Sequence, residues 1–183
     1  MRKESELFKI VLSSIFLALA YVLPFLTGQI PEIGSMLCPM HIPVLLCGFI
    51  CGWKYGLIVG IIAPIFRSLT LGMPPLFPTA LAMAFELGTY GLLSGLFYNV
   101  FNKNKKNTYI ILLLSMFIGR IVWGIVMFIC MGINHTTFTF YAFLSGSIIN
   151  AFPGIIIQIL LIPLIVFKWE KLEYFNNGKI GKN

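Results

Sequence analysis

Long apolar runs follow one another through this chain with almost nothing between them. Of 183 residues, 58% are hydrophobic and only 10% are charged, against about 25% charged in a soluble domain. Lipid offers no hydrogen bonds to a backbone, so apolar runs of this length must close their own amide bonds as helices. The expected fold is therefore an all-α membrane protein with six transmembrane helices, forming a single domain over residues 1–183. The spans are read at about 7–26, 38–52, 55–71, 77–101, 108–132 and 143–167. The second is short and bracketed by prolines. The first run lacks a small-residue cleavage signature and is read as a membrane helix, not a removed signal peptide.

Charge placement orients the bundle. Arg2, Lys3, Lys9, Lys54, Lys103, Lys105, Lys106, Lys168, Lys171, Lys179 and Lys182 make 11 of the 13 basic residues, and all fall on one side of this span map. The stretches 28–37, 72–78 and 132–142 on the other side contain no Lys or Arg. The positive-inside rule then places both termini in the cytoplasm. The net charge of +7 is mostly topological. It suits anionic lipid headgroups, and no nucleic-acid partner is indicated. The Gly- and Pro-punctuated external stretches read either as ordinary short connections or as lids over a site.

The remaining two basic residues, Arg67 and Arg120, and the acidic Glu86 lie inside spans. An ionised side chain near the bilayer centre costs about 2.5–3.5 kcal/mol on insertion scales, so such groups are paired or line a polar cavity. With a rise of 1.5 Å per residue, Arg120 stands about 18 Å up span five and Glu86 about 14 Å down span four. Those depths nearly coincide in a core of about 30 Å, which allows an ion pair. Such a pair either just neutralises two charges or faces a solute cavity with Arg120 offered to a carboxylate. Arg67 lies one turn from the external end of span three, where it either snorkels outward or points into an outward-opening pocket. Trp123 continues the Arg120 face upward. Asn134, His135 and Asn150 cluster toward the same external half and complete the candidate substrate-binding set.

Catalytic constellations are absent. The chain has no aspartate and two distant histidines, with no GxSxG and no Walker A sequence. Cys38, Cys47, Cys51 and Cys130 form no CxxC pair and read as small buried side chains. No metal site and no cofactor is expected. The chain is read as no enzyme, and any uphill transport must draw on an ion gradient or a partner. Small residues recur where helices could approach closely: Ser14 and Ala18 on span one, and Gly48, Gly52, Gly56 and Gly60 across spans two and three. Seams of this kind usually serve packing inside one protein.

A resemblance follows from the run His41-Ile42-Pro43-Val44-Leu45-Leu46-Cys47-Gly48 through Gly52-Trp53-Lys54-Tyr55-Gly56-Leu57-Ile58-Val59-Gly60. It continues through Ile65-Phe66-Arg67-Ser68-Leu69 and the Pro-rich stretch to Gly91-Leu92-Leu93-Ser94-Gly95. The chain resembles the substrate-binding S components of energy-coupling factor (ECF) transporters. That resemblance implies a six-helix subunit in a bacterial plasma membrane. It would capture a water-soluble vitamin or precursor from outside and dock through its first helix on a membrane scaffold subunit. Two cytoplasmic ATPase subunits would supply the energy. In the family the docking face tends to be an AxxxA pattern; here Ser14 replaces the first alanine before Ala18. Two intramembrane arginines suit an anionic vitamin such as pantothenate. A pyridoxine-type ligand fits if Glu86 neutralises one arginine and the other snorkels. A small membrane enzyme acting on lipid is the competing class.

Overall fold

The computed structural model describes residues 6–27, 30–133, 139–145 and 150–180. They form eight α-helices: α1 (Glu6–Val22), α2 (Pro31–Leu37), α3 (His41–Cys51), α4 (Trp53–Leu71), α5 (Leu81–Val100), α6 (Lys105–Ile133), α7 (Phe140–Leu144) and α8 (Phe152–Ile180). No strand occurs among the described residues. A 3₁₀ turn, Leu23–Thr27, extends α1 where Pro24 interrupts the α-helical pattern. A π-type turn, Leu76–Ala80, leads into α5.

Five segments are long and apolar enough to cross a membrane: Glu6–Leu26, Trp53–Leu71, Leu76–Val100, Lys105–Ile133 and Phe152–Leu172. The expected sixth, at 38–52, is α3, which has only 11 residues. Its length is about 16 Å, roughly half of a hydrocarbon core. The reason lies at its two ends. Cys38 takes the left-handed conformation at φ 47° and closes α2, and Gly52 at φ 98° breaks the chain between α3 and α4. Nine of the 11 residues of α3 are buried, among α1, α4, α5 and α8. The last span also differs from its expected start at 143. Phe140–Leu144 is a separate short helix, and α8 begins at Phe152 with Pro153 in its first turn, where proline's missing N–H costs nothing.

Apart from Gly52, which has open space around it, the glycine repeat is an internal seam. A methyl group at Gly56 would stand 2.5 Å from the Gly91 carbonyl oxygen, and one at Gly60 would stand 2.3 Å from the Leu87 carbonyl. From the other side, a methyl at Gly91 would lie 2.1 Å from Gly56 O, and one at Gly95 2.3 Å from Trp53 N. The backbones of α4 and α5 touch, and only hydrogen side chains permit that. Gly48 brings α3 to the same line, against the Gly91 carbonyl and Ser94. α5 is thereby the most buried of the five spans, packed on α3, α4 and α6.

Large apolar side chains point outward, as Leu7, Val11, Ile15 and Val22 do on α1 and Phe117, Ile125 and Phe128 on α6. The interior is an apolar core that includes Phe16, Leu45, Phe49, Leu87, Leu112 and Ile162, with a few buried polar groups such as Glu86, Arg67 and Gln158. The basic end of the bundle is tied by aromatic and polar contacts. Tyr55 donates to Glu6 Oε2 at 2.6 Å, Tyr98 donates to the Glu170 carboxylate, and the Phe8 and Trp169 rings stack 6.4 Å apart.

Candidate functional site

The N-terminus of the half-length helix α3 meets the middle of α5 and α6, and the buried charges gather there. Glu86 is 1% exposed. Its Oε1 lies 2.9 Å from Arg120 Nη1 and accepts a 3.0 Å hydrogen bond from the Tyr90 hydroxyl, one turn along α5. His41, the first residue of α3, places Nε2 3.5 Å from the same oxygen, a polar contact longer than a normal hydrogen bond. The His41 ring also packs edge-on against Tyr90, with centroids 5.4 Å apart. Arg120 Nη2 donates to Cys38 Sγ at 3.5 Å. The partial positive charge at the start of α3 further favours a carboxylate here.

The local sequence builds this arrangement. Gly119 precedes Arg120, and a methyl group there would fall 2.0 Å from Tyr90 Cε1. The bare backbone lets the Tyr90 ring lie flat on α6 and hold its hydroxyl on Glu86. Glu86 and Tyr90 are four residues apart, so they share a face of α5. Cys38 and His41 flank the break between α2 and α3, which carries them to the level of Arg120. The Glu86 carboxylate and the Arg120 guanidinium offset one another's charge.

The other expected residues go elsewhere or lie at its edge. Arg67 is buried at 3% exposure, but it turns toward α1. Its Nη1 donates to the Tyr21 carbonyl at 2.8 Å, and its guanidinium lies 5.0 Å from the Phe25 ring centre. Tyr21 belongs to the last turn of α1, where carbonyls lack helical partners, so the arginine caps that helix end. Trp123 packs against Phe143 of α7, ring centroids 6.3 Å apart. Gly124 leaves space for the same Phe143 ring. Asn150 is exposed before α8, its backbone N–H bonded to Ser145 O at 2.9 Å. Asn134 and His135 lie outside the described residues. Ser14 and Ala18 are exposed on the outer face of α1, with the Ser14 hydroxyl donating to Ile10 O at 2.9 Å.

His41, Tyr90 and Cys38 are site neighbours that the candidate set omitted. Tyr90 had a readable signal in its spacing of four from Glu86. His41 stood out only as a polar residue between Pro39 and Pro43. Cys38 had none, because its approach to Arg120 depends on the α2–α3 break.

The bundle thus closes a hydrogen-bonded Glu86–Arg120 pair in its interior, beside the start of the half-length helix α3. Residues 8–166 match the family of ECF transporter substrate-specific components, and the chain belongs to that family. It is a multi-pass subunit of a transport system. No curated protein and no solved structure matches it.

Proposed function

We propose that this chain is the solute-capture subunit of an ECF-type importer, and that the cluster of Glu86, Arg120, His41 and Tyr90 forms the floor of its solute site. The solute is a small water-soluble vitamin or precursor taken from the external side. A membrane scaffold subunit receives the loaded chain, and two cytoplasmic ATPase subunits supply the energy. The basic end of the bundle is cytoplasmic in this reading. The chain has no catalytic role of its own.

One observation carries the choice of solute class. Arg120 is engaged with Glu86 at 2.9 Å, and Arg67 is engaged with the Tyr21 carbonyl. The Arg120 charge is met by the Glu86 carboxylate, and Arg67 is turned onto the end of α1 and away from the cluster, so the cluster itself offers no uncompensated charge to an anion. An uncharged polar solute therefore fits better than an obligate carboxylate such as pantothenate. A pyridoxine-type compound has the required charge state.

The test is to purify the full chain, identify co-purifying small molecules by mass spectrometry, and screen a vitamin panel by thermal stabilisation. The expected hit is uncharged and is lost in Arg120→Ala with membrane insertion intact. A hit that must be anionic would reverse the charge assignment. No co-purifying molecule and no stabilising compound would overturn the capture role.

A further inference from the structure

Gln158 stands alone in the run Ile155-Ile156-Ile157-Gln158-Ile159-Leu160-Leu161-Ile162. It is completely buried. Neither its amide nitrogen nor its amide oxygen has a hydrogen-bond partner among the described residues. Burying a whole carboxamide unpaired is costly, and native proteins rarely do so without a reason. Its stripe on α8, with Gly154, Ile162 and Val166, is buried throughout, so the side chain is directed into the bundle and not into lipid.

Two registers fix its depth. Tyr98 of α5 contacts Glu170 of α8, and both helices run toward the basic end. Glu86 precedes Tyr98 by twelve residues, as Gln158 precedes Glu170, so each stands about 18 Å above that contact. Tyr109 of α6 packs on Phe167 of α8. Arg120 then lies about 16 Å above this second contact and Gln158 about 14 Å. Glu86, Arg120 and Gln158 therefore share one level. The azimuth agrees. A methyl on Gly154, one turn above Gln158 on the same stripe, would meet the Leu37 carbonyl at 2.7 Å, and the next residue, Cys38, touches Arg120.

Among the described residues, buried side-chain polar atoms without partners occur on four residues only: His41, Ser115, Arg120 and Gln158. Arg120 contributes Nε and His41 its ring nitrogens, of which Nε2 makes only the long 3.5 Å contact to Glu86. Ser115 is about 7.5 Å nearer the basic end than Arg120. Three of the four residues, His41, Arg120 and Gln158, thus fall in one layer of the bundle, with Ser115 below it.

We propose that Gln158 is a second recognition group of the same solute chamber, and that the solute presents to it an amide-like edge, a hydrogen-bond donor next to an acceptor. A carboxamide is both donor and acceptor. A carboxylate would satisfy its nitrogen and leave its oxygen facing negative charge; a cation would do the reverse. An amide, imide or ureido group satisfies both atoms in one contact. This rests on the capture reading above and narrows its uncharged solutes to those carrying such a group.

The experiment uses the full chain in detergent. Riboflavin and nicotinamide, which carry an imide or amide, are titrated against pyridoxine and nicotinate, which do not. Variants are Gln158→Leu and the closer-shaped Gln158→Met, with Glu86→Gln as the control for the cluster. The expected result is that at least one of the first two compounds binds, and that each Gln158 variant weakens it tenfold or more. The same variants should raise the melting temperature of the empty protein, because an unpaired buried amide is replaced by an apolar side chain. A purely structural glutamine would lower it. Unchanged affinity in either folded variant overturns the inference, as does binding of pyridoxine or nicotinate alone, or of none of the four. Loss of binding in Glu86→Gln with full binding in both Gln158 variants would defeat this inference and leave the capture reading standing. The capture reading fails separately, if no small molecule co-purifies and no member of the wider panel stabilises the chain.

Discussion

Glu86 Oε1 on α5 and Arg120 Nη1 on α6 lie 2.9 Å apart in the interior of the bundle, with Glu86 only 1% exposed. Tyr90 and His41 reach the same carboxylate oxygen. Removing one member of a buried pair strands the other charge, at a typical cost of about 3–5 kcal/mol. Arg120→Ala and Glu86→Gln should each lower the melting temperature sharply. The double variant Glu86→Gln/Arg120→Met should recover much of that loss while binding no solute. Thermal melts of all three, beside binding titrations, check the prediction; additive losses in the double variant would contradict it.

Tyr90 is held on Glu86 by the absence of a side chain at Gly119. Tyr90→Phe deletes one hydrogen bond to a charged group, worth about 1.5–3 kcal/mol. Gly119→Ala should do more, because its methyl would stand 2.0 Å from the Tyr90 ring and the ring must move. Both are expected to weaken solute binding, Gly119→Ala by the larger factor. Isothermal titration on the two variants distinguishes this from an inert packing position, which would leave affinity untouched.

Arg67 contacts α1 and not the cluster. Arg67→Met should cost about 1.5–3 kcal/mol of stability through the lost bond to the Tyr21 carbonyl, with solute affinity within twofold of the parent. A tenfold loss of affinity in a folded Arg67→Met protein would return this residue to the solute pocket.

At Gly56, Gly60, Gly91 and Gly95 the α4–α5 seam has no room for an added methyl. Gly91→Ala would set a methyl 2.1 Å from the Gly56 carbonyl oxygen, and neither backbone is free to retreat. Overpacking commonly costs about 1–3 kcal/mol, sometimes more. Gly91→Ala should melt well below the parent, and Gly132→Ala, which meets nothing within 4 Å, should not. Expression level and melting temperature of the pair provide the comparison.

On α1 the exposed Ser14 and Ala18 are the expected contact with the scaffold subunit, and α1 is the least buried of the five spans. Ser14→Leu/Ala18→Leu should leave solute binding by the isolated chain within twofold and abolish uptake by the assembled transporter. Unimpaired uptake would move the docking face elsewhere.

The apolar runs and the one-sided lysines were enough to establish a helical membrane bundle, because lipid leaves a backbone no other way to satisfy its amides. The 1.5 Å rise was enough to bring Glu86 and Arg120 to one depth. The Gly48–Gly60 repeat also announced a close helix contact, and its partner turned out to be α5 of the same chain. Depth along a helix is a property of residue number, and so it could be read. Azimuth, and the choice between two partners at equal depth, are properties of packing. Nothing in the run around Arg67 told that its guanidinium would cap α1 at Tyr21. The apolar segment at 38–52 did not reveal that Cys38 and Gly52 would cut it to a half-length helix that starts, at His41, beside Glu86. Gln158 was one amide in a row of isoleucines and leucines until the α5–α8 register put it level with the ion pair. The sequence alone determined that Glu86, Arg67 and Arg120 stand within apolar helices and how far along each helix they lie. Only the tertiary structure decided which of them meet, because that depends on how the helices turn and how closely their glycines let them approach.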